Sequence, residues 1–334
     1  MGRFFTLVGI ENKKLWKRPS TVVMFLIVIA LVLSASCGLR YLQYIHGSDV
    51  RSAPPVSDNW RENVLKEEEQ LRAQIKAIQN VKDNSNMAKS MLGPAQKTLA
   101  EDEYMIEHNI SSAKPFSIWT LVSDFSSKVS YGAIAAMMML IACSVLVAGE
   151  FGEGTIKLTL SRPFSRGEIL GAKLAVTLLY GLELLASTLV VQTLIFMILY
   201  GVPGIGANQM LWTTGKIVYI PSVLVLLIHY GLEFLTAAFY VTLAFALAAI
   251  TRSRSIATGF SLFMLLLGGS LAQIAAIYFG NIKYFPFTTV NFLDIITKGV
   301  SVYGTTLASS MILSGIYAFI MCAAAFVVFK RRDV

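Results

Sequence analysis

Gly149-Glu150-Phe151-Gly152-Glu153-Gly154-Thr155-Ile156-Lys157, running on through Ser161-Arg162-Pro163-Phe164-Ser165-Arg166-Gly167-Glu168, is a charged island between two long apolar runs. Val129 to Gly149 precedes it, and Leu174 to Tyr200, interrupted only by Glu183, follows it. With Lys173 just beyond, the island carries seven charged side chains (Glu150, Glu153, Lys157, Arg162, Arg166, Glu168 and Lys173), which are costly to leave in hydrocarbon. The flanking runs therefore read as membrane-spanning helices and the island as their water-exposed connection, with the character of a docking element.

Composition agrees with that reading. Of the 334 residues, 55% are hydrophobic and 14% charged, against about 25% charged in soluble domains. Cys37, Cys143 and Cys322 all fall in apolar runs, so neither a disulfide framework nor a thiolate metal site is offered. Membrane insertion also accounts for the net charge of +8, and no nucleic-acid partner is implied.

Working outward, the sequence predicts an all-α polytopic membrane protein with six transmembrane helices, at 19–43, 129–149, 169–200, 217–251, 255–278 and 305–330. Residues 1–18 form a basic amphipathic helix in the interface, with Phe4, Phe5, Val8, Leu15 and Trp16 on one face and Arg3, Thr6, Lys13, Lys14 and Lys17 on the other. Glu11, Asn12 and Arg18 interrupt its apolar side, and a plain positively charged lead-in to the first span is the alternative. A cleaved signal peptide is disfavoured by the long amphipathic lead and by the absence of a leucine three residues before Cys37.

Residues 44–128 form an insertion outside the membrane. Val64, Leu71 and Ile78 give a helix with a narrow apolar seam, 82–93 a turn, and Pro94 the first turn of a second helix, so the insertion reads as a helical hairpin. Its runs Glu67-Glu68-Glu69 and Glu101-Asp102-Glu103 read as solvated surface, because adjacent residues do not share a helix face. Residues 150–168 form the loop already described and 201–216 a loop at the opposite side. Residues 279–304, with Tyr284-Phe285-Pro286-Phe287, form an interfacial or partly re-entrant segment, or an aromatic belt anchoring helix ends.

Lysine and arginine set the orientation. With both termini cytoplasmic, fourteen basic residues lie inside and only Lys216, Lys283 and Lys298 in the short outer loops. The island then becomes a cytoplasmic loop and the hairpin faces outward. The expected location is the bacterial plasma membrane.

With orientation set, the chain resembles the permease subunits of ABC-2-type exporters. The resemblance rests on Glu150, Glu153-Gly154-Thr155-Ile156-Lys157, Ser161-Arg162-Pro163-Phe164-Ser165-Arg166 and Ile169-Leu170-Gly171-Ala172-Lys173, with Glu107-His108-Asn109-Ile110 closing the insertion. It implies a coupling helix at Glu150, Glu153, Gly154, Thr155, Lys157, Arg162, Pro163, Ser165 and Arg166 that docks on a separate ATPase subunit. It implies a second permease copy or paralogue, contact with membrane lipid, and ATP and Mg on the partner, with no cofactor and no enzymatic site on this chain. The residues suit that role. Thr155 and Ser165 are helix-capping types, Pro163 redirects a helix, and Phe151, Ile156, Leu158 and Leu160 supply apolar anchors among both signs of charge. No G-x-x-x-x-G-K-[ST] segment occurs; Gly201-Val202-Pro203-Gly204-Ile205-Gly206 lacks the lysine and the following helix.

Two acids fall inside spans, each in the tetrapeptide Tyr-Gly-Leu-Glu at 180–183 and 230–233. Counted at about 1.5 Å per residue, Glu183 lies roughly 21 Å from the inner face and Glu233 roughly 18 Å from the outer. His229 shares the face of Glu233. These three residues either line a substrate path or fix helix packing; with no further His or Cys nearby, they do not form a metal site. The resulting expectation is an exporter subunit for an amphiphilic peptide, antibiotic or lipid-like molecule. The alternatives are a proton-coupled carrier using Glu183 and Glu233, or a membrane sensor with a ligand-binding hairpin.

Overall fold

The computed structural model describes residues 2–46, 59–80, 86–111, 116–154, 163–213, 216–278, 284–298 and 305–331. Its helices are α1 (Gly2–Trp16), α2 (Pro19–Ile45), α3 (Trp60–Asn80), α4 (Asn86–His108), α5 (Ile118–Val129), α6 (Tyr131–Val147), α7 (Gly149–Gly152) and α8 (Arg166–Tyr200). A hairpin of β1 (Asn208–Thr213) and β2 (Lys216–Pro221) leads to α9 (Ser222–Thr251), α10 (Arg254–Tyr278), α11 (Phe292–Lys298) and α12 (Leu307–Arg331). Five of these helices, α2, α8, α9, α10 and α12, are long and apolar enough to cross a membrane; α5 and α6, bent by 55°, make a sixth if counted as one span. The chain is a helical polytopic membrane protein.

The bundle is built around α9, which packs against α6, α8, α10 and α12. Over half of its apolar window is buried (56%), against 17% for α2 and for α12, so those two peripheral helices turn most of their apolar surface outward. Tyr131, Met139, Leu140 and Leu146 of α6 interlock with Tyr180 and Leu184 of α8 and with Tyr240 and Phe245 of α9. Gly181 has no side chain because the Met139 thioether occupies that space: a Cβ there would lie 2.1 Å from its methyl carbon. Close approach at small residues is how helices associate where no hydrophobic drive exists between them.

α8 sets the length of the molecule. Its 35 residues run about 52 Å, roughly 20 Å more than a hydrocarbon core. Two tyrosine hydroxyls put α2 and α8 in parallel register, Tyr180 donating to the Thr21 carbonyl (3.4 Å) and Tyr200 to Gln43 Oε1 (2.9 Å). Residues 166–179 therefore project beyond the point where α2 begins. α1 packs lengthwise on this projection, with Leu7 against Ile169 and Ala172. Its buried stripe is Leu7, Glu11 and Leu15, whereas Phe5, assigned to the apolar face from sequence, is exposed. The Lys330 side chain lies beside Gly167, so the two ends of the chain meet at this end of the bundle, the island end.

Several sequence-based boundaries move. The second span was placed at 129–149 and the insertion at 44–128, but α5 begins at Ile118 and buries Ile118, Val122 and Phe125 in the bundle. Half of its residues are Ser, Thr, Asp or Lys, so its average composition reads as soluble although one face is core. The fourth span was started at 217, yet 216–221 is a strand. Ile217, Val218, Tyr219 and Ile220 are β-branched or aromatic, Pro221 breaks the run, and the helix starts at Ser222. The two-stranded β-hairpin lies within the region expected to be loop and helix, a local exception in an otherwise helical fold. In the insertion α3 and α4 do pack together, joined by Arg72 to Glu103 (2.6 Å), but α4 starts at Asn86 and carries Pro94 inside it. Asp102, expected in water, is buried; burial first, then the charges of Glu67, Glu101 and Glu68, push its carboxyl up to about 7.

The glycine-rich stretch 201–206 clamps the start of α5. Ile118 N–H donates to the Pro203 carbonyl (2.8 Å) and Trp119 Nε1 to that of Ile205 (2.8 Å). Gly204 sits at φ +54°, where a Cβ would come within 2.5 Å of the Phe116 carbonyl oxygen. Gly204→Ala is expected to lower stability by roughly 1–3 kcal/mol, since both the backbone conformation and the approach forbid a side chain. Thermal denaturation of the detergent-solubilised protein, followed by size-exclusion recovery, checks this against Gly206→Ala, where a Cβ meets nothing within 4 Å.

Candidate functional site

The island end is organised by four charges. Glu11 of α1, Lys14 of α1, Glu150 of α7 and Lys173 of α8 form a closed alternating ring: Glu11–Lys14 2.9 Å, Lys14–Glu150 3.2 Å, Glu150–Lys173 2.9 Å and Lys173–Glu11 3.0 Å. Glu11, Glu150 and Lys173 are almost wholly buried (0%, 3% and 2% exposed). Burial alone raises the Glu11 carboxyl pKa, but the Lys173 charge and the hydrogen bonds from Lys14 and Lys173 outweigh it and hold the group below 4.5, its ordinary value. Burial likewise works against the Lys14 ammonium, and Glu11, then Glu150, overcome it and raise its pKa above 10.5. The ring is locally neutral, which is the condition under which buried charges are tolerated.

The first turn of the island is gripped from the other side as well. Arg254, opening α10, donates through Nη2 to Glu153 Oε1 (2.5 Å) and to the Gly149 carbonyl (2.8 Å). The hydrogen bond and charge of Arg254 pull the Glu153 carboxyl below its ordinary value. Arg252 stacks over Phe151 at 4.9 Å, Phe151 meets Phe329 of α12 edge-on at 6.1 Å, and Arg18 donates to the Val145 carbonyl (3.3 Å). At the far end, Ser165 caps α8: its hydroxyl accepts from Glu168 N–H (3.2 Å) while Glu168 Oε2 accepts from Ser165 N–H (2.7 Å). Gly154 takes φ +69°, and Pro163 is exposed beside the cap. Thr155, Lys157 and Arg162 lie outside the described residues. Glu150, Glu153, Gly154, Pro163, Ser165 and Arg166 are thus placed around one short connection, while Glu11, Lys14, Lys173 and Arg254 were not chosen as site residues from sequence. Their signal was Glu11 itself, a carboxylate on the apolar side of a basic helix.

The structure separates the two intramembrane acids. Glu183 Oε2 accepts from Trp16 Nε1 (2.9 Å), whose ring packs edge-on against Phe25 and Tyr180. Tyr180 is level with Thr21, the third residue of α2, so Glu183 stands about one turn past the point where α2 begins and not roughly 21 Å deep. It fastens the α1–α2 corner. Glu233 and His229, in contrast, line a cavity of about 420 Å³ between α5, α6, α9, α10 and α11. Ser123 shares a 2.5 Å hydrogen bond with His229 Nδ1, and Glu233 Oε2 has no hydrogen-bond partner among the described residues. Gly132 makes the room: a Cβ there would meet Glu233 Cβ, Cγ and Cδ at 2.7–2.9 Å. The 55° bend at Ser130, in the left-handed region at φ +58°, turns α5 away from the line of α6, and Asp124, Ser127 and Ser130 line the space. The segment expected to be interfacial or re-entrant contributes a 3₁₀ turn (Pro286–Thr288) and α11, which carries the lining residue Asp294. Lys97 of the α3–α4 hairpin donates to the Thr297 carbonyl (2.7 Å), resting the hairpin on α11. Among the described residues no cluster of three or more His, Cys, Asp or Glu is arranged to hold a metal ion.

Fold and site define a polytopic helical membrane protein with a charged connection clamped at one end and a polar intramembrane cavity towards the other. The chain belongs to the DUF2705 family, described as protein of unknown function, which matches residues 90–334, from within α4 to the C-terminal residue. It is similar to the uncharacterized protein YhcI of Bacillus subtilis (strain 168), with 29% identity over 330 residues covering 98% of each chain.

The ring gives a test of its energetics. Glu11→Leu alone leaves Lys14 and Lys173 sharing Glu150, one positive charge in excess, and is expected to destabilise by about 3–5 kcal/mol, whereas Glu11→Leu with Lys173→Met leaves the Lys14–Glu150 pair neutral and recovers most of the loss. Because the folded Glu11 pKa is depressed, its contribution is present above 4.5 and is lost as pH falls through the folded value; that of Lys14, whose folded pKa is raised, is present below 10.5 and is lost as pH climbs past the raised value. Melting temperatures across pH 3–11 should show the acid-side loss in the native chain and a smaller one in the double variant.

Proposed function

We propose that this chain is the permease subunit of an ABC-type exporter, moving an amphiphilic substrate across the membrane with ATP and Mg bound on a separate ATPase. What carries the reading is one helix. α6 starts at the cavity wall, where Gly132, Ala133 and Ala136 line the space, and ends at Val147, with Ala148 alone joining it to the α7 turn that bears Glu150. A force applied to the island is delivered through the ring to α1 and α8 together, and along α6 to the cavity. That is the linkage an exporter without its own phosphate-binding loop requires, and it agrees with the resemblance of residues 150–173 to ABC-2-type permeases.

On this reading the island end is cytoplasmic, as the distribution of lysine and arginine favours. The island docks on the ATPase, with Glu153, Arg162 and Arg166 presenting charge and Phe151 and Phe164 apolar contact. The outward-facing apolar surfaces of α2 and α12 suit lipid and a second permease subunit. A carrier that hands protons between Glu183 and Glu233 is disfavoured, since Glu183 is engaged by Trp16 outside the cavity.

Affinity purification of the tagged chain in mild detergent is expected to retain a P-loop ATPase, and Glu153→Ala with Arg162→Ala to reduce the retained ATPase at least tenfold while leaving the elution profile of the permease unchanged. Failure to retain any ATPase, or full retention by the double variant, overturns the proposal.

A further inference from the structure

The 420 Å³ cavity has a chemical bias that the transport reading alone does not supply. Asp124 of α5, Glu233 of α9 and Asp294 of α11 bring three carboxylates to its lining from three different elements, and among the described residues no lysine or arginine lines it. His229 and Asn291 add further polar groups. Ser127, Ser130, Thr236 and Thr297 also belong to the lining, and its apolar part is Ala133 and Ala136 of α6, Leu265 of α10, and the ring of Tyr240, which stacks on Phe287 at 6.2 Å with the planes 25° apart.

Glu233 is the sharpest element of this lining. Its carboxylate stands in a span with one oxygen lacking a hydrogen-bond donor, and Gly132 is bare so that the side chain fits. A carboxylate in a low-dielectric wall calls for a positive partner. None of the salt bridges among the described residues involves Glu233. Lys97 of the α3–α4 hairpin donates to the Thr297 carbonyl and pairs with Glu101 (3.6 Å). Three acids in a walled space focus a negative potential on whatever enters, and the alanine, leucine and tyrosine wall accepts an apolar body.

We propose that the cavity binds an amphiphilic organic cation, its charged centre held by Glu233 with Asp124 and Asp294, and its apolar body against Ala136, Leu265 and Tyr240. The tyrosine face adds a cation–π surface for the same charge. Only the fate of the bound cation, its export, rests on the ABC reading; the binding itself does not.

The test uses the full chain in nanodiscs of phosphatidylcholine, with radiolabelled tetraphenylphosphonium as probe and empty nanodiscs as background. Saturable binding is expected, with affinity at least tenfold weaker in Glu233→Gln and within about threefold of native in Glu233→Asp, which keeps the charge. Asp294→Asn, on the short α11 and away from the helix core, should weaken binding at least threefold and guards against a Glu233→Gln chain that misfolds. Tetraphenylborate, the same shape with the opposite charge, should not compete. Native-like affinity in both neutral variants, equal loss in Glu233→Gln and Glu233→Asp, or competition by tetraphenylborate each overturns the proposal. No ATPase is present in this assay, so cation binding that survives alongside a failed ATPase purification removes the exporter reading alone, and the reverse result removes the cargo class alone.

Discussion

The closed ring of Glu11, Lys14, Glu150 and Lys173 is the constraint on which the island end depends. Each member has two opposite-charge neighbours within 3.2 Å, so no single contact can open without leaving a mostly buried charge short of a partner. It joins three segments far apart in sequence: an amphipathic helix before the first span, the turn after α6, and the overlong start of α8. Without the ring, the projecting turns of α8 would be a bare helix in water. With it they become one wall of a block in which α1 and α7 are the others.

The block explains why α8 is so long and why α1 does not simply lie flat. A helix longer than the hydrocarbon thickness tilts or projects. Here the parallel register with α2, fixed by Tyr180 and Tyr200, selects projection. The projecting surface then has to be covered, and Leu7, Glu11 and Leu15 cover it. The Trp16–Glu183 hydrogen bond closes the upper edge of the same contact. One acid of the repeated Tyr-Gly-Leu-Glu tetrapeptide is therefore structural and the other lines the cavity. The two glycines differ in the same way: Gly181 admits Met139, while a Cβ on Gly231 meets nothing within 4 Å.

Sequence carries the spans well because each is an apolar run longer than about 18 residues bounded by charge, and that is a one-dimensional property. The connection that bears Glu150, Glu153 and Ser165 was legible as a charged interruption between spans, but Glu150, expected in water, is buried between Lys14 and Lys173. What could not be read is what depends on two segments meeting. Glu11 looked like a defect in an amphipathic helix until Lys173 stood opposite it. α5 looked like part of a soluble insertion because half its residues are polar: Asp124 and Ser127 line the cavity, Ser123 and Ser126 hydrogen-bond to α9, and Ile118, Val122 and Phe125 enter the core. The strand at 216–221 was absorbed into a span because an apolar run of β-branched residues is ambiguous by periodicity alone. Depth was misjudged for Glu183 because the span was started at Ile169, which lies on the part of α8 that projects beyond the start of α2.

The same geometry restricts where motion can occur on the transport reading. α1, α7 and the start of α8 are bound into one block, and α10 is tied to the island through Arg254. Displacing Glu150 must therefore carry α6 with it as a rigid lever of 17 residues, about 25 Å long. Its far end is not continued by a straight helix: Ser130 holds a left-handed conformation and α5 departs at 55°. A break of this kind absorbs rotation without unravelling either helix. It lies two residues from Gly132, where α6 touches Glu233. Small movements at the island thus end at the contact between α6 and the cavity carboxylate, and the hinge and the binding group are one place in the structure.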